Sequence, residues 1–319
     1  MTPLLQRKLI VITGKGGVGK TTISAALGLL AARHGLRTLV VEVGERQHIP
    51  ALLGFPEPSQ AGAEVLLAQR LSSMSIDPDR ALADWLRALG GRVSSRVLLS
   101  SATFQYFVAA APGAREILSM VKVLELTENE EGPGRKRKRG DAYNLVILDA
   151  PATGHALALL SSPRTFTGLA RVGPIAAQTR LVSDLLEDPK RSGYVAVAQG
   201  SEMAVAETLE LREGLREELG RDLDAVIANG ALPRRFDERE LRRIAALGAE
   251  HPATRSAHAA ARAVHTRARM QNNQIARLRR QQLHVLRVPF LFQPSLDAAA
   301  LRLIAGRLER GLAAFKPSP

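Results

Sequence analysis

The stretch "LIVITGKGGVGKTT", residues 9–22, decides the fold. An apolar run leads into a glycine-rich segment, and apolar residues then recur at helical spacing, so the pattern predicts a strand, a loop and a helix. Within the loop, Gly14 is followed after four residues by Gly-Lys-Thr at 19–21, which is the spacing of a phosphate-binding loop. The stretch therefore predicts a site that holds nucleotide phosphates at the start of a helix.

A phosphate-binding loop gives each of its residues a role. Glycines allow the backbone to wrap around a phosphate, and successive N–H groups then point at the anion from the helix N-terminus. We expect Lys20 to reach the β and γ phosphates of ATP and the Thr21 hydroxyl to bind Mg²⁺. The predicted nucleotide-binding residues of this segment are Gly14, Gly16, Gly17, Val18, Gly19, Lys20, Thr21 and Thr22.

Strand-like and helix-like segments alternate along much of the chain. "RTLVVEV" at 37–43 follows the first helix and completes a strand–helix–strand unit. A β-rich run at 143–155 breaks at Asp149 and Pro151, and further strands are predicted at 193–199, 224–230 and 283–290, with helical patterns between them. This alternation predicts an α/β fold in which a mostly parallel sheet is flanked by helices.

We predict one ATPase domain that spans residues 1–319. A helical pattern over about 62–127, which includes "AEVLLAQRL" at 63–71, predicts a helical insertion between the strands. The following segment, "ENEEGPGRKRKRG" at 128–140, combines glycine, proline and opposite charges, which is typical of an exposed loop.

An acidic residue ends one of the predicted strands. Asp149 closes "LVILDAP", and a carboxylate at a strand end commonly orients water around Mg²⁺ in folds of this kind. We therefore predict that Asp149 acts in catalysis and joins Thr21 at the metal. A helix-capping aspartate is the structural alternative.

The phosphate loop contains a second lysine, Lys15, directly after its first glycine. The segment "KGGVGKT" at 15–21 resembles the deviant-loop class of ATPases, which includes partitioning, septum-placing and arsenite-pump-like proteins. The resemblance implies that Lys15 reaches across a dimer interface to the partner's nucleotide and stabilises the charge on the transferring phosphoryl group. The alternative is a solvated lysine on a surface loop.

Two later segments narrow the resemblance. "DAPATGHALALLSSPRTF" at 149–166 resembles the switch segment of the arsenite-pump ATPase family, which also contains the ATPases that guide tail-anchored proteins to membranes. The stretch at 198–236 is similar to a later strand–helix–strand unit of that family. The resemblance implies a nucleotide-gated dimer in which Asn229 hydrogen-bonds adenine and Pro289 flanks the base. His155 would belong to the switch, or would only begin a helix.

The chain departs from the family where an acid normally follows the second strand and positions the attacking water. Here the segment reads "EVGERQH", residues 42–48, and Gly44 occupies the acid's position. A glycine cannot orient water, so either a neighbouring carboxylate substitutes or hydrolysis is slow. We predict that Glu45 partly substitutes, since Glu42 lies inside the strand. The departure also suggests a heterodimer with a better-equipped paralogue, in place of a homodimer.

The composition excludes several classes of site. The chain has 319 residues and no cysteine, so disulfides, thiolate metal sites and cysteine nucleophiles are excluded. We therefore expect neither metalloid activation nor a zinc clip. The sequence has no signal-peptide pattern and no apolar run of the roughly 18 residues that a membrane-spanning helix needs, which predicts a cytoplasmic protein.

The positive charge is concentrated in two segments. The net charge is +13, residues 251–287 contain eight arginines and no acid, and "RKRKR" lies at 135–139. A basic stretch can contact nucleic acid, anionic lipid or an acidic protein, or can be a solvated face. Aromatic residues make up only 4% of the chain, which makes nucleic acid the less expected partner.

Three functions remain open from the sequence. The favoured one is a Mg²⁺-dependent ATPase switch that serves a protein client or makes peripheral membrane contact. The second is a partitioning-type ATPase that binds DNA nonspecifically through its arginines. The third is a nucleotide-binding subunit with weak turnover.

Overall fold

The computed structural model describes residues 2–58, 60, 62–81, 84, 113–129, 142–169, 174–246 and 252–313. The strands are β1 Leu9–Gly14, β2 Thr38–Val43, β3 Val65–Ala68, β4 Leu71–Ile76, β5 Leu145–Ala152, β6 Ser192–Ala198, β7 Ala225–Ala231 and β8 Val285–Pro289. The helices are α1 Lys20–Arg33, α2 Ile49–Leu52, α3 Ala114–Thr127, α4 Thr153–Leu169, α5 Pro174–Glu187, α6 Glu202–Leu219, α7 Glu238–Ala246, α8 Pro252–Arg280 and α9 Ala298–Ala313. A short 3₁₀ helix, Pro3–Gln6, precedes β1.

The strands form one eight-stranded sheet in the order β3-β4-β2-β5-β1-β6-β7-β8. All neighbouring pairs are parallel except β3 and β4, which are antiparallel. Because the strands near the centre are covered on both faces, they are continuous apolar runs and every residue of β1 is buried. The predicted α/β fold, a mostly parallel sheet flanked by helices, is confirmed.

Helix α1 packs closely against the sheet. It contacts β2, β5 and helix α9, while α4 and α6 pack against each other and against β1. Small residues permit this approach: a Cβ atom on Gly28 would lie 2.8 Å from Val40 Cγ2 and 2.9 Å from Leu71 Cδ1. The packing fixes the start of α1 above the carboxyl ends of the central strands.

The prediction of helix at the beginning of the insertion is wrong. Residues 63–71 have helical spacing, but β3 and β4 form a hairpin there, with a turn in which Arg70 has a φ of 69°. β4 pairs with β2 from Thr38↔Leu71 to Val43↔Ile76, and this pairing outweighs the local pattern. Helix α3 occurs as predicted. Residues 85–112 of the insertion and nearly all of the charged loop lie outside the described residues.

The arginine-rich segment is a single helix, α8, of 29 residues. Only a narrow stripe of it is buried against the protein, formed by Ala261, Ala268, Asn272, Ile275 and Leu278. Most of its length therefore presents polar and basic residues to solvent, and no acidic residue lies within it.

Candidate functional site

The phosphate loop lies between β1 and α1, near the middle of the sheet. Two of its glycines are required by their surroundings: a Cβ on Gly14 (φ 146°) would lie 2.1 Å from the Val197 carbonyl oxygen, and one on Gly19 (φ 91°) would lie 2.4 Å from Asn229 Nδ2. Both glycines also have φ values that other residues rarely adopt. The loop is therefore held in its curved form by β6 and by the end of β7.

The phosphate loop leads directly into α1, whose first turn has free backbone N–H groups. Gly19 is the N-cap of α1 and has no side chain to cap it, and the first turn of a helix has N–H groups without acceptors inside the helix. These N–H groups, those of Lys20, Thr21 and Thr22, face the region where an anion would be stabilised. Lys20 Nζ donates to the Lys15 carbonyl oxygen at 3.2 Å, across the loop.

Thr21 and Asp149, predicted to share a metal ion, meet in the structure. The Thr21 hydroxyl donates to Asp149 Oδ2 at 2.6 Å, and the Ser24 hydroxyl donates to Asp149 Oδ1 at 2.9 Å. The register aligns Asp149 with Ile12 of β1 and with Glu42 of β2, so the two carboxylates lie on neighbouring strands. The arrangement concentrates oxygen atoms beside the phosphate loop.

Burial sets the electrostatics of this cluster. Asp149 is 9% exposed, and desolvation raises its pKa from 3.8 to about 6. The hydrogen bonds from Thr21 and Ser24 and the Lys20 ammonium oppose this rise, while the Glu42 carboxylate adds to it. Burial likewise lowers the pKa of Lys20, although the Asp149 carboxylate opposes the change. Near neutral pH the ionised Asp149 is thus an electrostatically unfavourable group unless a cation compensates it.

A cavity of about 460 Å³ opens beside these residues. It is lined by Lys20, Thr21, Glu42, Val43, Gly44, Glu45, Arg46, His48, Asp149, Ala150 and Pro151. Glu45, the predicted substitute for the missing acid, lies on this wall but is exposed, and among the described residues no hydrogen bond or ion pair holds its carboxylate. Gly44 has a φ of 145° and open space where a Cβ would lie.

Lys15 forms an ion pair within its own chain. Its ammonium group contacts the carboxylate of Glu207 on α6, and each side chain keeps close to a third of its surface exposed. Sequence reasoning assigned Lys15 to a partner's nucleotide and gave it no partner in the same chain. The two residues are 192 positions apart, so only the fold reveals the pair.

The residues predicted to hold the base lie on the other side of the loop. Asn229 Nδ2 donates to the Val18 carbonyl oxygen at 2.8 Å, which ties the end of β7 to the phosphate loop. Pro289 ends β8 and is aligned with Ala231 of β7. Contact of Asn229 and Pro289 with adenine stays a prediction.

A larger cavity of about 1340 Å³ lies between this edge of the sheet and α8. Phe290 and Phe292 border it, with ring centroids 5.0 Å apart, and the Arg235 guanidinium lies 4.4 Å from the Phe292 centroid. The predicted switch triplet, Thr153, Gly154 and His155, forms the first turn of α4. His155 therefore does begin a helix, and its part in a switch stays a prediction.

Sequence reasoning missed several polar groups of the site. Ser24 lies three positions after Thr21, on the same face of α1, so helical spacing signals its contact with Asp149. His48 lies in the same segment as Gly44 and Glu45, but a single histidine there gives no sequence signal of its contact with Glu42. No local sequence pattern indicates that Glu207 contacts Lys15.

Among the described residues, no helix is long and apolar enough to cross a membrane. The cytoplasmic location stays a prediction.

The sequence matches proteins of known family. The family model described as anion-transporting ATPase matches residues 7–173, which is more than half of the 319 residues. The matched part contains both the phosphate loop and Asp149.

Three relatives show the same relationship. ATPase BagA of Mycobacterium tuberculosis is 29% identical over 246 residues, which cover 75% of this chain and 69% of the relative. ATPase GET3 of Kluyveromyces lactis is 28% identical over 263 residues, covering 72% and 73%. A putative arsenical pump-driving ATPase of Halobacterium salinarum is 26% identical over 249 residues, covering 75% and 38%. These matches confirm the resemblance and the ATPase that the sequence predicted.

Neutralising Asp149 tests the electrostatics of the site. A folded-state pKa raised from 3.8 to about 6 means that the folded chain holds a proton which the unfolded chain releases in this pH window. The stabilising contribution is present below about pH 4 and is lost as the pH rises through about 6. In EDTA and without nucleotide, Asp149→Asn is expected to raise the free energy of unfolding at about pH 7.5 by up to about 3 kcal/mol and to change it little at about pH 4.

Urea unfolding at the two pH values measures this difference. Asp184→Asn, which removes an exposed carboxylate on α5, is the control and should change little at either pH. A loss of stability in Asp149→Asn near neutral pH would contradict the assignment of a strained buried charge.

Proposed function

Because the chain belongs to the anion-transporting ATPase family, we propose that it is a Mg²⁺-dependent switch protein that binds and hydrolyses ATP as a nucleotide-gated dimer. The observation that carries the proposal is the contact of Thr21 with Asp149 beside Lys20, at the start of α1. A nucleotide-holding loop, a cationic side chain and a buried carboxylate occur together only at this place in the described structure.

The residues present fit ATP and Mg²⁺. Mg²⁺ prefers oxygen ligands, and the Thr21 hydroxyl and the Asp149 carboxylate supply them 2.6 Å apart. The bound ion would offset the charge on Asp149 and on the phosphates. The backbone of residues 14–19 and the first turn of α1 would hold the phosphates, and Lys20 would contact the β and γ oxygens. Asn229 and Pro289 would face the base.

Dimerisation is supported by the position of Lys15 at the edge of the loop. In the proposed closed dimer, the Lys15 ammonium leaves Glu207 and approaches the partner's γ-phosphate, where charge develops during transfer. ATP binding would favour the closed form, and hydrolysis would release it. The client of such a switch would be a protein or a membrane-associated partner. Both a homodimer and a heterodimer with a paralogue agree with this arrangement.

Turnover depends on what replaces the missing acid at Gly44. Glu45 lines the cavity and is the predicted substitute, but its exposed carboxylate lacks a partner among the described residues that would fix its orientation. A catalytic group that must be ordered at each turnover is less effective than one held in place. Hydrolysis that relied on Glu45 alone would therefore be slow.

Lys20→Ala tests the proposed phosphate site. Removing the ammonium group should lower steady-state ATP hydrolysis by roughly 100-fold, because transition-state charge loses a preorganised donor. Lys8→Ala, which changes an exposed lysine at the opposite end of β1, should keep the wild-type rate. Equal rates for Lys20→Ala and wild type would remove Lys20 from the ATP site.

Glu207→Gln tests the exchange of Lys15 between two partners. If closure requires the exposed Lys15–Glu207 pair to break, then removing one charge should tighten the ATP-dependent dimer by up to about fivefold, the equivalent of about 1 kcal/mol. Sedimentation with Mg²⁺ and a non-hydrolysable ATP analogue measures the dissociation constant. Glu210→Gln is the matched control, because Glu210 is exposed on α6 and has no ion-pair partner in the part of the chain that the structure describes. A weaker dimer in Glu207→Gln would show that Glu207 supports closure.

A DNA-binding partitioning ATPase is the second candidate, and the basic helix α8 is the observation that favours it. Phosphate contacts weaken steeply with salt. The logarithm of the DNA-binding constant measured by gel shift should therefore fall linearly with the logarithm of the salt concentration. Retention on DNA that requires ATP would favour this candidate. The switch function predicts that any retention is independent of nucleotide.

A further inference from the structure

A histidine and a buried glutamate form a pair on the wall of the phosphate cavity. Glu42 is 5% exposed, and its carboxylate accepts the backbone N–H groups of His48 at 2.9 Å and of Ile49 at 3.1 Å. His48 Nδ1 lies 3.1 Å from Glu42 Oε1. The His48 side chain is otherwise open, with 72% of its surface exposed. The imidazole is thus fixed on one edge and free on the other.

This contact selects a tautomer. An ionised carboxylate can only accept hydrogen bonds, so Nδ1 is the donor to Glu42 and the neutral ring has its lone pair on Nε2. Among the described residues, Nε2 has no hydrogen-bond partner. The free nitrogen can therefore accept a hydrogen bond from a water molecule in the cavity.

We propose that His48, held by Glu42, orients the attacking water at the γ-phosphate and so replaces the acid that is absent at Gly44. The inference rests on the proposed function, because it assumes that the phosphate end of ATP occupies this cavity. Three observations support it: His48 shares the cavity with Lys20 and Asp149, the pair is built into the segment of residues 42–48, and Gly44 leaves open space there.

The reaction step is a single displacement. The water oxygen forms a bond to the γ-phosphorus as the bond between that phosphorus and its bridging oxygen breaks, and ADP leaves with the bonding electrons. The water proton passes to Nε2 of His48 and from there to solvent, since the ring is exposed. Glu42 stabilises the imidazolium that forms, because its carboxylate accepts a hydrogen bond from Nδ1–H.

The other carboxylates of the segment are less suited to the task. The oxygens of Glu42 are occupied by two backbone N–H groups and by the ring, so Glu42 acts on water only through His48. Glu45 is exposed and unrestrained, so ordering it at a water molecule would cost side-chain entropy at each turnover. The imidazole has already been oriented by the fold.

His48→Ala in the 319-residue chain is the test. We expect kcat to fall roughly 100-fold with KM changed by less than about twofold, because a group acting on water contributes to the transition state and not to nucleotide binding. Added imidazole should restore part of the lost kcat, since the vacated site is open to solvent. Calorimetric affinity for Mg²⁺ and a non-hydrolysable ATP analogue should equal that of wild type.

Two further variants keep the result interpretable. His34→Ala is the matched control: His34 also pairs with a glutamate, Glu309, at 3.0 Å, but lies at the other end of α1, about 20 Å from its start. It should leave kcat and imidazole dependence unchanged. Glu42→Gln should lower kcat while His48 remains, and His48→Gln serves where the alanine variant unfolds early in a thermal scan.

The outcomes separate the two proposals. If wild type and Lys20→Ala hydrolyse ATP equally, the proposed site fails, and the inference about His48 fails with it. If wild type is active and His48→Ala and His48→Gln keep its kcat, the inference about His48 is wrong while the site stands. A loss of kcat confined to Glu45→Gln would assign the water to Glu45.

Discussion

The burial of the Asp149 carboxylate beside the phosphate loop is the constraint on which the site depends. The sheet register places Asp149 between the ends of β1 and β2, and α1 covers it with the hydroxyls of Thr21 and Ser24. In this position the charge is poorly solvated, which raises its pKa to about 6. A divalent cation compensates such a charge, and a triphosphate supplies the further ligands that the ion needs. The burial of this carboxylate destabilises the unliganded protein and would favour the binding of a cation.

The chain achieves this arrangement by close backbone packing around the loop. Gly14 and Gly19 admit the Val197 carbonyl and the Asn229 amide into positions where a Cβ would collide, so neighbouring strands brace the loop from the outside. The groups proposed to bind the nucleotide and orient water come from separate elements: Lys20 and Thr21 from α1, Asp149 from β5, and Glu42 with His48 from the end of β2 and the loop after it. In the proposed switch, loss of the γ-phosphate would act on β2, α1 and β5 together.

The features of the fold and the site that were predicted correctly depend on short-range sequence patterns. The phosphate loop is one continuous motif, and Asp149 directly follows the apolar run Leu145–Leu148, so both needed only short-range information. The hairpin at residues 65–76 was missed because pairing of β4 with β2, 33 positions away, decides the structure of a segment with helical spacing. The Lys15–Glu207 pair is set by how α6 packs. The Glu42–His48 contact is close in sequence, yet depends on the chain folding back after β2, which periodicity does not encode.

The most direct measurement is the number of protons exchanged when a preformed complex of Mg²⁺ and ADP binds. Titration calorimetry at about pH 6, in two buffers with different ionisation enthalpies, gives this number. With the pKa of Asp149 at about 6, binding is predicted to release about half a proton per chain, and the release should disappear in Asp149→Asn. Equal binding enthalpies in both buffers, or a release that persists without the Asp149 carboxylate, would contradict its role as the buried group that the metal ion compensates.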